Sequence, residues 1–187
     1  YLMEHVILVG ISWQKDLSAE LIQEAGAHAS RFRDYSIRES SNPAHQAKYN
    51  FGQANNHLAF IRKDVIKYTE KNYRTKPADR TYFGYSMGGE FGAYALLTQP
   101  DTFNNYILGS PSLRQSNVAH FAELVNDLNI KHKNLNPQVF ISYGTSEKEA
   151  SVNIDAFIAL LKKQQGDRLS LTHEVLEGSH QSAFPLT

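Results

Sequence analysis

The amino-acid sequence predicts an α/β fold, with a mostly parallel central sheet and helices on both of its faces. Strand-like runs alternate with segments whose apolar residues recur every three or four positions, in the order β-α-β-α-β. Near the start, residues 6–11 (V-I-L-V-G-I) form the continuous apolar run that is typical of a strand covered on both sides. At 187 residues, 41% of them hydrophobic, the chain suits a single domain over residues 1–187.

The first part of the chain is expected to contribute one strand, one long irregular segment and one helix. Residues 6–11 are predicted to be a central strand. Apolar residues are sparse over residues 12–53 and turn-forming residues recur, which predicts an irregular excursion with one short helix near residues 18–28. Long excursions often line functional sites, and we expect this one to do so. An apolar face at 58, 61, 65 and 68 predicts a helix over about residues 56–71.

The second part carries the regular alternation. Residues 80–83 read as a strand and residues 89–97 as a helix rich in small side chains. Residues 106–110 form the next strand, which Pro111 ends. A helical face at 121, 124, 125 and 128 precedes a strand at 139–144. A second face at 154, 157, 158 and 161 precedes a last strand at 169–176. This alternation is typical of parallel sheets.

Composition excludes several function classes. Nineteen basic residues balance nineteen acidic ones and no Lys/Arg run stands out, so we expect no nucleic-acid partner. The chain has no cysteine, no H-E-x-x-H spacing and no phosphate-binding glycine loop, so we expect neither a metal nor another cofactor. No apolar run is long enough to span a bilayer. The expected partner is a small-molecule substrate. Compartment and oligomeric state stay open.

The most informative motif is G-x-S-x-G at residues 84–88, which lies between a predicted strand and a predicted helix. In a nucleophile elbow the chain turns so sharply at the serine that its hydroxyl is exposed, and glycines avoid a collision across the turn. The motif therefore predicts Ser86 as a nucleophile. The backbone N–H of Met87, at the start of the following helix, is the expected oxyanion donor.

A serine nucleophile needs a base and a group that orients the base. In α/β-hydrolases these follow in the order serine, acid, histidine, each after a strand. Of eight histidines, only His180 follows the last predicted strand. Glu147 follows the strand that ends at Gly144 and is favoured as the acid, although Glu149 stays open as an alternative. Two weaker candidates for the acid lie on or after the last strand, Glu174 and Glu177.

Several motifs resemble the Putative esterase family of α/β-hydrolases, which includes enterochelin esterase, S-formylglutathione hydrolase, feruloyl esterases and mycolyltransferases. Its pattern is similar to this chain at R-D-Y-S (33–36), G-Q-A (52–54), G-Y-S-M-G-G (84–89), P-D-T-F (100–103), S-P-S (110–112) and G-S-H (178–180). Two departures stand out. Ile37 replaces a proline, and Arg114 stands where relatives often carry an aromatic residue.

The resemblance implies a carboxylic ester hydrolase with Ser86 as nucleophile, His180 as base and Glu147 as the favoured acid. Two alternatives stay open: an acyltransferase that uses the same acyl-enzyme, and a non-catalytic binding protein on a hydrolase scaffold. Both chain ends look cut, so the family's first strands, second oxyanion donor and last helix are expected to lie outside residues 1–187.

Overall fold

A computed structural model describes residues 5–131, 135–163 and 169–187. The chain divides into two compact units, Tyr1–Pro77 and Ala78–Thr187, which we describe separately. The expectation of a single domain whose 12–53 excursion lines the site stays a prediction.

The first unit is helical in its described residues. Three short helices, α1 (Ala19–Ala25), α2 (Ser30–Tyr35) and α3 (Pro43–Tyr49), occupy the segment predicted as an excursion. A longer rod follows, made of α4 (Ala54–Phe60), one π-helical turn (Ile61–Val65) and α5 (Ile66–Asn72). The predicted helices near 18–28 and over 56–71 are therefore confirmed, whereas the expectation of one short helix in residues 12–53 is wrong, since α2 and α3 lie there too.

Local sequence explains where α3 begins and ends. The Asn42 side chain accepts hydrogen bonds from the backbone N–H groups of Ala44 and His45, at 3.0 and 3.1 Å. Pro43 occupies the first turn, where its missing N–H is harmless. Asn50 ends the helix in the left-handed conformation at φ 51°, which asparagine tolerates better than most residues. The helix is thus defined by its two caps.

The predicted strand at residues 6–11 is wrong. Residues 6–14 have no regular secondary structure, and the side chains of Val6, Ile7, Leu8 and Val9 are exposed. An apolar run becomes a strand only where a neighbouring strand supplies its hydrogen bonds, and no ladder in the described residues includes this segment. The apolar composition of the run indicates a preference for burial, but it does not specify the strand that would pair with it.

The second unit contains a four-stranded parallel sheet in the order β1-β2-β3-β4. The strands are β1 (Thr81–Tyr85), β2 (Asn105–Gly109), β3 (Gln138–Gly144) and β4 (Ser170–Leu176). They alternate with α6 (Met87–Thr98), α7 (Gln115–Lys131) and α8 (Lys148–Lys162). The predicted α/β class, the parallel sheet and the alternation are confirmed.

The three connecting helices form one layer against this sheet, so the expectation of helices on both of its faces stays a prediction. Right-handed crossovers between strands in sequential order place all connecting helices on the same face. Accordingly α6 contacts β1 and β2, α7 contacts both α6 and α8, and α8 contacts β4. Of the predicted α7 face, Phe121 and Val125 are buried and Leu124 is partly buried. The Leu128 side chain lies outside the described residues. The parallel arrangement brings the carboxyl ends of all four strands to one edge.

Small residues let α6 lie close to the sheet. A Cβ atom built on Gly92 would overlap the Tyr82 ring and would lie 2.5 Å from Leu108 Cδ2. Gly92→Ala is therefore expected to lower the free energy of unfolding by about 1–3 kcal/mol, as overpacked core substitutions do. Urea unfolding curves at constant slope measure this change.

Gly88→Ala, in the same helix, is the matched control. A Cβ there has its nearest neighbour, the Tyr82 hydroxyl, at 3.8 Å. The control is expected to leave stability unchanged or to raise it by up to about 1 kcal/mol, because alanine favours helix more than glycine does. Equal effects of the two substitutions would contradict the close-packing account.

Candidate active site

Ser86 lies on a strained turn between β1 and α6. Its backbone is at φ 57° and ψ −118°, a region that residues with a Cβ rarely adopt. The Ser86 N–H donates to the carbonyl of Gly109 at 2.9 Å, and the Ser86 carbonyl accepts from the Glu90 N–H at 3.1 Å. The strand on one side and the helix on the other therefore hold the strained residue.

The two glycines of the motif have different roles. A Cβ on Gly84 would overlap the backbone carbonyl of Gly88, so the turn closes only with glycine at 84. A Cβ on Gly88 would meet nothing closer than the Tyr82 hydroxyl at 3.8 Å. The expectation that a side chain at 88 also collides across the turn is therefore wrong, since the crowding comes from the 88 backbone.

The segment after β2 reaches the Ser86 hydroxyl. Ser112 Oγ lies 3.0 Å from Ser86 Oγ, and either oxygen can donate. The Ser112 N–H also donates to the Ser86 carbonyl at 3.0 Å. Two hydrogen bonds thus dock the S-P-S segment on the elbow. The sequence flagged this segment as a family motif but did not reveal its contact with Ser86.

Glu147 and His180 form a short hydrogen bond. The distance from His180 Nδ1 to Glu147 Oε2 is 2.7 Å, with the ring nitrogen as donor in the tautomer that this partner favours. The Glu147 side chain is 7% exposed and the His180 side chain 41%. A buried carboxylate therefore orients a partly exposed imidazole.

The acid is itself held by two further donors. Its other oxygen, Oε1, accepts from the Ser110 hydroxyl and from the Gly144 N–H, each at 2.7 Å. Burial raises the pKa of Glu147, but these two hydrogen bonds and the interaction with His180 outweigh burial and bring the pKa below its usual value. The carboxylate is therefore ionised at neutral pH.

Glycines allow close contact between the loop after β3, which carries Glu147, and the loop after β4, which carries His180. A Cβ on Gly144 would lie 2.5 Å from the Gly178 carbonyl oxygen. Gly178 has φ 130°, which favours glycine. Its N–H donates to the Thr145 hydroxyl at 3.1 Å, and its carbonyl accepts from the Ser146 N–H at 2.9 Å. These bonds bring the loop after β4 to the end of β3.

Tyr85 joins the elbow to the histidine loop. Its hydroxyl donates to the His180 carbonyl at 2.6 Å and lies 2.9 Å from Ser110 Oγ. The rings of Tyr85 and His180 are 5.3 Å apart. Burial raises the pKa of the Tyr85 hydroxyl, and the Glu147 charge acts in the same direction, while the Ser110 hydrogen bond opposes them. The residue before the nucleophile thus fixes the backbone of the candidate base.

The hydrogen bonds of the predicted site residues form two groups. Tyr85, the residue before Ser86, connects them through its bond to the His180 carbonyl. Ser86 bonds Ser112, and Glu147 bonds His180. Met87 is the first residue of α6, where backbone N–H groups lack partners within the helix. Glu149 is exposed in the first turn of α8. The catalytic roles of Ser86, His180, Glu147 and Met87 stay predictions.

Glu90 is a mostly buried carboxylate one turn after Ser86 that sequence analysis did not identify. It accepts a hydrogen bond from the Asn117 side chain at 2.5 Å. Burial raises its pKa to about 7, although the Arg114 charge and the Asn117 hydrogen bond oppose the rise. The unfolded chain thus releases this proton at a lower pH, near 4.5.

The raised pKa of Glu90 predicts a pH-dependent stability. Below about pH 4.5, the pKa of this carboxyl in the unfolded chain, Glu90 has no destabilising effect. The destabilisation grows as pH rises from there to about 7, the pKa in the folded protein. Glu90→Gln keeps an acceptor for Asn117, and we expect it to raise the free energy of unfolding at about pH 8 by on the order of 3 kcal/mol. The gain is expected to shrink at about pH 5. Urea titrations at both pH values test this, and an equal gain at both would contradict it.

The first unit contains a separate cavity of about 340 Å³. Its lining includes Arg33, Asp34 and His57. Arg33 and Asp34 form an ion pair at 2.7 Å, and burial lowers the pKa of His57 against the opposing charge of Asp34. Among the described residues, no cluster of three or more His, Asp or Glu side chains could hold a metal ion. No helix in the described ranges is long and apolar enough to cross a membrane.

The parallel sheet and the strained strand-to-helix turn define the α/β-hydrolase fold, and comparison with solved structures agrees. The BES protein from Bacillus cereus superposes with a TM-score of 0.72 at 26% identity, over 84% of this chain and 62% of that one. An IroE-like serine hydrolase from Shewanella oneidensis gives 0.69 at 23% identity, over 82% and 52%.

The chain belongs to the Putative esterase family, whose model matches residues 13–182. It is similar to the ferri-bacillibactin esterase BesA of Bacillus subtilis, with 32% identity over 98 residues. That alignment covers 52% of this chain and 34% of the relative. The chain therefore spans about a third of the length of the curated relatives that it matches.

Proposed function

We propose that this chain carries the catalytic residues of a carboxylic ester hydrolase, an enterochelin-esterase-like serine esterase that acts through Ser86, His180 and Glu147. The observation that carries the proposal is the 2.7 Å bond between His180 Nδ1 and a buried, ionised Glu147, in the same unit as a serine on a strained elbow. A surface histidine without a catalytic role would not be expected to bond a carboxylate that Ser110 and Gly144 also hold in place.

In the proposed reaction, the Ser86 oxygen attacks the ester carbonyl carbon while its proton passes to Nε2 of His180. Glu147 keeps Nδ1 protonated, so that Nε2 is free to accept, and stabilises the imidazolium that forms. The carbonyl oxygen becomes an oxyanion, which the Met87 N–H stabilises at the positive end of α6. His180 then returns the proton to the departing alcohol.

The resulting acyl-enzyme is hydrolysed by the reverse sequence. His180 removes a proton from water, the hydroxide attacks the acyl carbon, and Ser86 leaves with the proton that His180 returns. For the first step, Ser86 must donate to His180 and not to Ser112, so Ser112 acts as the donor in their 3.0 Å contact. In that orientation Ser112 helps to aim the Ser86 proton at the base.

The substrate class follows from the relatives. One curated relative is described as a ferri-bacillibactin esterase and another as a siderophore triacetylfusarinine C esterase. We therefore propose that the full-length protein cleaves small-molecule esters and that siderophore esters are among them. A screen of acetyl, butyryl, feruloyl and catecholate-siderophore esters tests this range.

Fluorophosphonate labelling tests the proposed nucleophile directly. A single adduct at Ser86 of the folded, full-length protein is the expected result, located by peptide mass spectrometry. No adduct would favour the binding-protein alternative. Assays with an added alcohol acceptor separate hydrolysis from acyl transfer, since a transferase forms a new ester where a hydrolase forms the free acid.

A further inference from the structure

Arg114 lies close to the candidate nucleophile. The Ser110–Arg114 stretch leaves β2, and its Ser112 bonds both the hydroxyl and the carbonyl of Ser86, each at 3.0 Å. Arg114 follows two residues later, so its Cα is within about 7 Å of that of Ser112. Its side chain is exposed. A guanidinium on such a long stem can therefore reach a group on a molecule bound at Ser86.

A mostly buried carboxylate, Glu90, lies near enough to this arginine for the two charges to interact. Glu90 is joined to the elbow by its N–H, which donates to the Ser86 carbonyl at 3.1 Å, and to α7 by the 2.5 Å bond from Asn117. Asn117 is 6% exposed. Its own N–H donates to the Arg114 carbonyl at 2.9 Å. Asn117 thus holds both the carboxylate and the backbone of the arginine.

This arrangement leaves part of the arginine free to bind. A guanidinium carries five N–H donors in a planar fork that matches a carboxylate, and the interaction of Arg114 with Glu90 is one of charge. The Arg114 side chain is exposed, so these donors are accessible to a bound molecule. The chain has no net charge, so attraction of an anion here is local and not a property of the whole molecule.

We propose that Arg114 is a specificity-determining residue that binds an anionic group, such as a carboxylate, on the ester substrate, and that the charge of Glu90 modulates this binding. This inference rests on the proposed esterase function. It concerns which esters are preferred and not how the ester bond is broken.

Because Glu90 gains a negative charge as pH rises, the preference for anionic over neutral esters is expected to depend on pH. Below about pH 7 Glu90 is protonated, so the Arg114 charge is not offset. Above that pH the ionised carboxylate offsets it, and anion binding weakens. The preference for an anionic ester is therefore expected to fall as pH rises through about 7.

Other titratable groups lie on α6 itself and on the elements that contact it. On α7, His120 and Glu123 lie 3.4 Å apart and pair with each other. On β1 the Tyr82 hydroxyl donates to the Gly88 carbonyl at 2.7 Å, and on α6 itself burial raises the pKa of Tyr94. Of the charged groups, Arg114 is the one whose charge acts on the Glu90 carboxyl.

A pair of isosteric substrates tests the proposal. The acetate esters of 3-hydroxybenzoic acid and 3-hydroxybenzamide differ mainly in one negative charge, and the acid is ionised from about pH 5.5 to about pH 8.5. The measured quantity is the ratio of kcat/KM for the anionic ester to kcat/KM for the neutral one. Titration of the catalytic base affects both esters alike and cancels in this ratio.

Arg114→Gln is expected to lower the ratio by about three- to tenfold at pH 6.5, in keeping with a partly exposed charged contact. Arg114→Lys is expected to restore part of it. Glu90→Gln is expected to keep the ratio high and independent of pH. Lys162→Gln is the matched control, because it removes one positive charge from the far end of α8, roughly 22 Å of helix from Glu147.

The outcomes are distinct. A ratio that Arg114→Gln leaves unchanged, while both esters are still cleaved, overturns the role of Arg114 and leaves the esterase proposal standing. A ratio that falls equally in Lys162→Gln also overturns it, since the effect would then be one of overall charge. Cleavage of neither ester by the wild-type protein would overturn the proposed function, and this inference with it.

Discussion

Ser86→Ala is expected to lower kcat for ester hydrolysis by about 10⁵- to 10⁶-fold, to the level left by binding and the oxyanion donor alone. The reason is chemical, since the substitution removes the oxygen that forms the acyl-enzyme. Ser86 Oγ makes one hydrogen bond in the described structure, to Ser112, so its loss disturbs little packing. Steady-state assays on a short-chain aryl ester measure the effect.

Two controls show whether the loss of activity is specific to the Ser86 hydroxyl. Unchanged thermal unfolding shows that Ser86→Ala still folds. Ser170→Ala makes the same chemical change at the amino end of β4, roughly 20 Å of strand from the edge that carries the site. We expect it to keep full activity. Substantial turnover in Ser86→Ala would refute the proposed nucleophile.

Glu147→Gln is expected to lower kcat by about 10³- to 10⁴-fold. Glutamine retains an oxygen for the Ser110 and Gly144 donors, so the loop is expected to keep its shape. Its amide nitrogen, however, would face His180 Nδ1 and favour the tautomer that is protonated at Nε2, which cannot accept the serine proton. The lost charge also leaves the imidazolium unsupported.

Glu149→Gln separates the two acids that the sequence left open. It removes the same charge two residues away, from an exposed position in the first turn of α8. We expect activity close to that of the wild type. A loss in Glu149→Gln that equals the loss in Glu147→Gln would show that overall charge, and not the contact with His180, causes the effect.

Much of the second unit followed from local sequence, because periodicity and turn residues act over a few positions. The strands of this unit and the elbow are determined within such short windows, and the alternation of strands with helices implies the parallel arrangement. The failure at residues 6–11 has the opposite cause, since a strand needs a partner that periodicity cannot specify. The first unit shows a similar limit, because α2 and α3 lie in the segment that the sequence predicted to be irregular apart from one short helix.

The candidate site divides in the same way. Chain order was enough to suggest Ser86, Glu147 and His180, and the structure joins the last two by a hydrogen bond. The hydroxyls of Tyr85 and Ser110 that support this pair were not foreseen. Their contacts cross 25 to 95 residues and depend on how strands and loops pack. The burial of Glu90 could not be predicted for the same reason, because it depends on tertiary packing. From the sequence alone, a glutamate in a helix of small residues is expected to face solvent.

The bond from Tyr85 to the His180 carbonyl bears on how this scaffold could be re-engineered. The loop after β4 is anchored to the residue that precedes the nucleophile, 95 positions earlier. Grafting that loop from a homologue that lacks a hydroxyl at position 85 would remove the anchor. A functional chimera would therefore need to inherit both segments from the same parent.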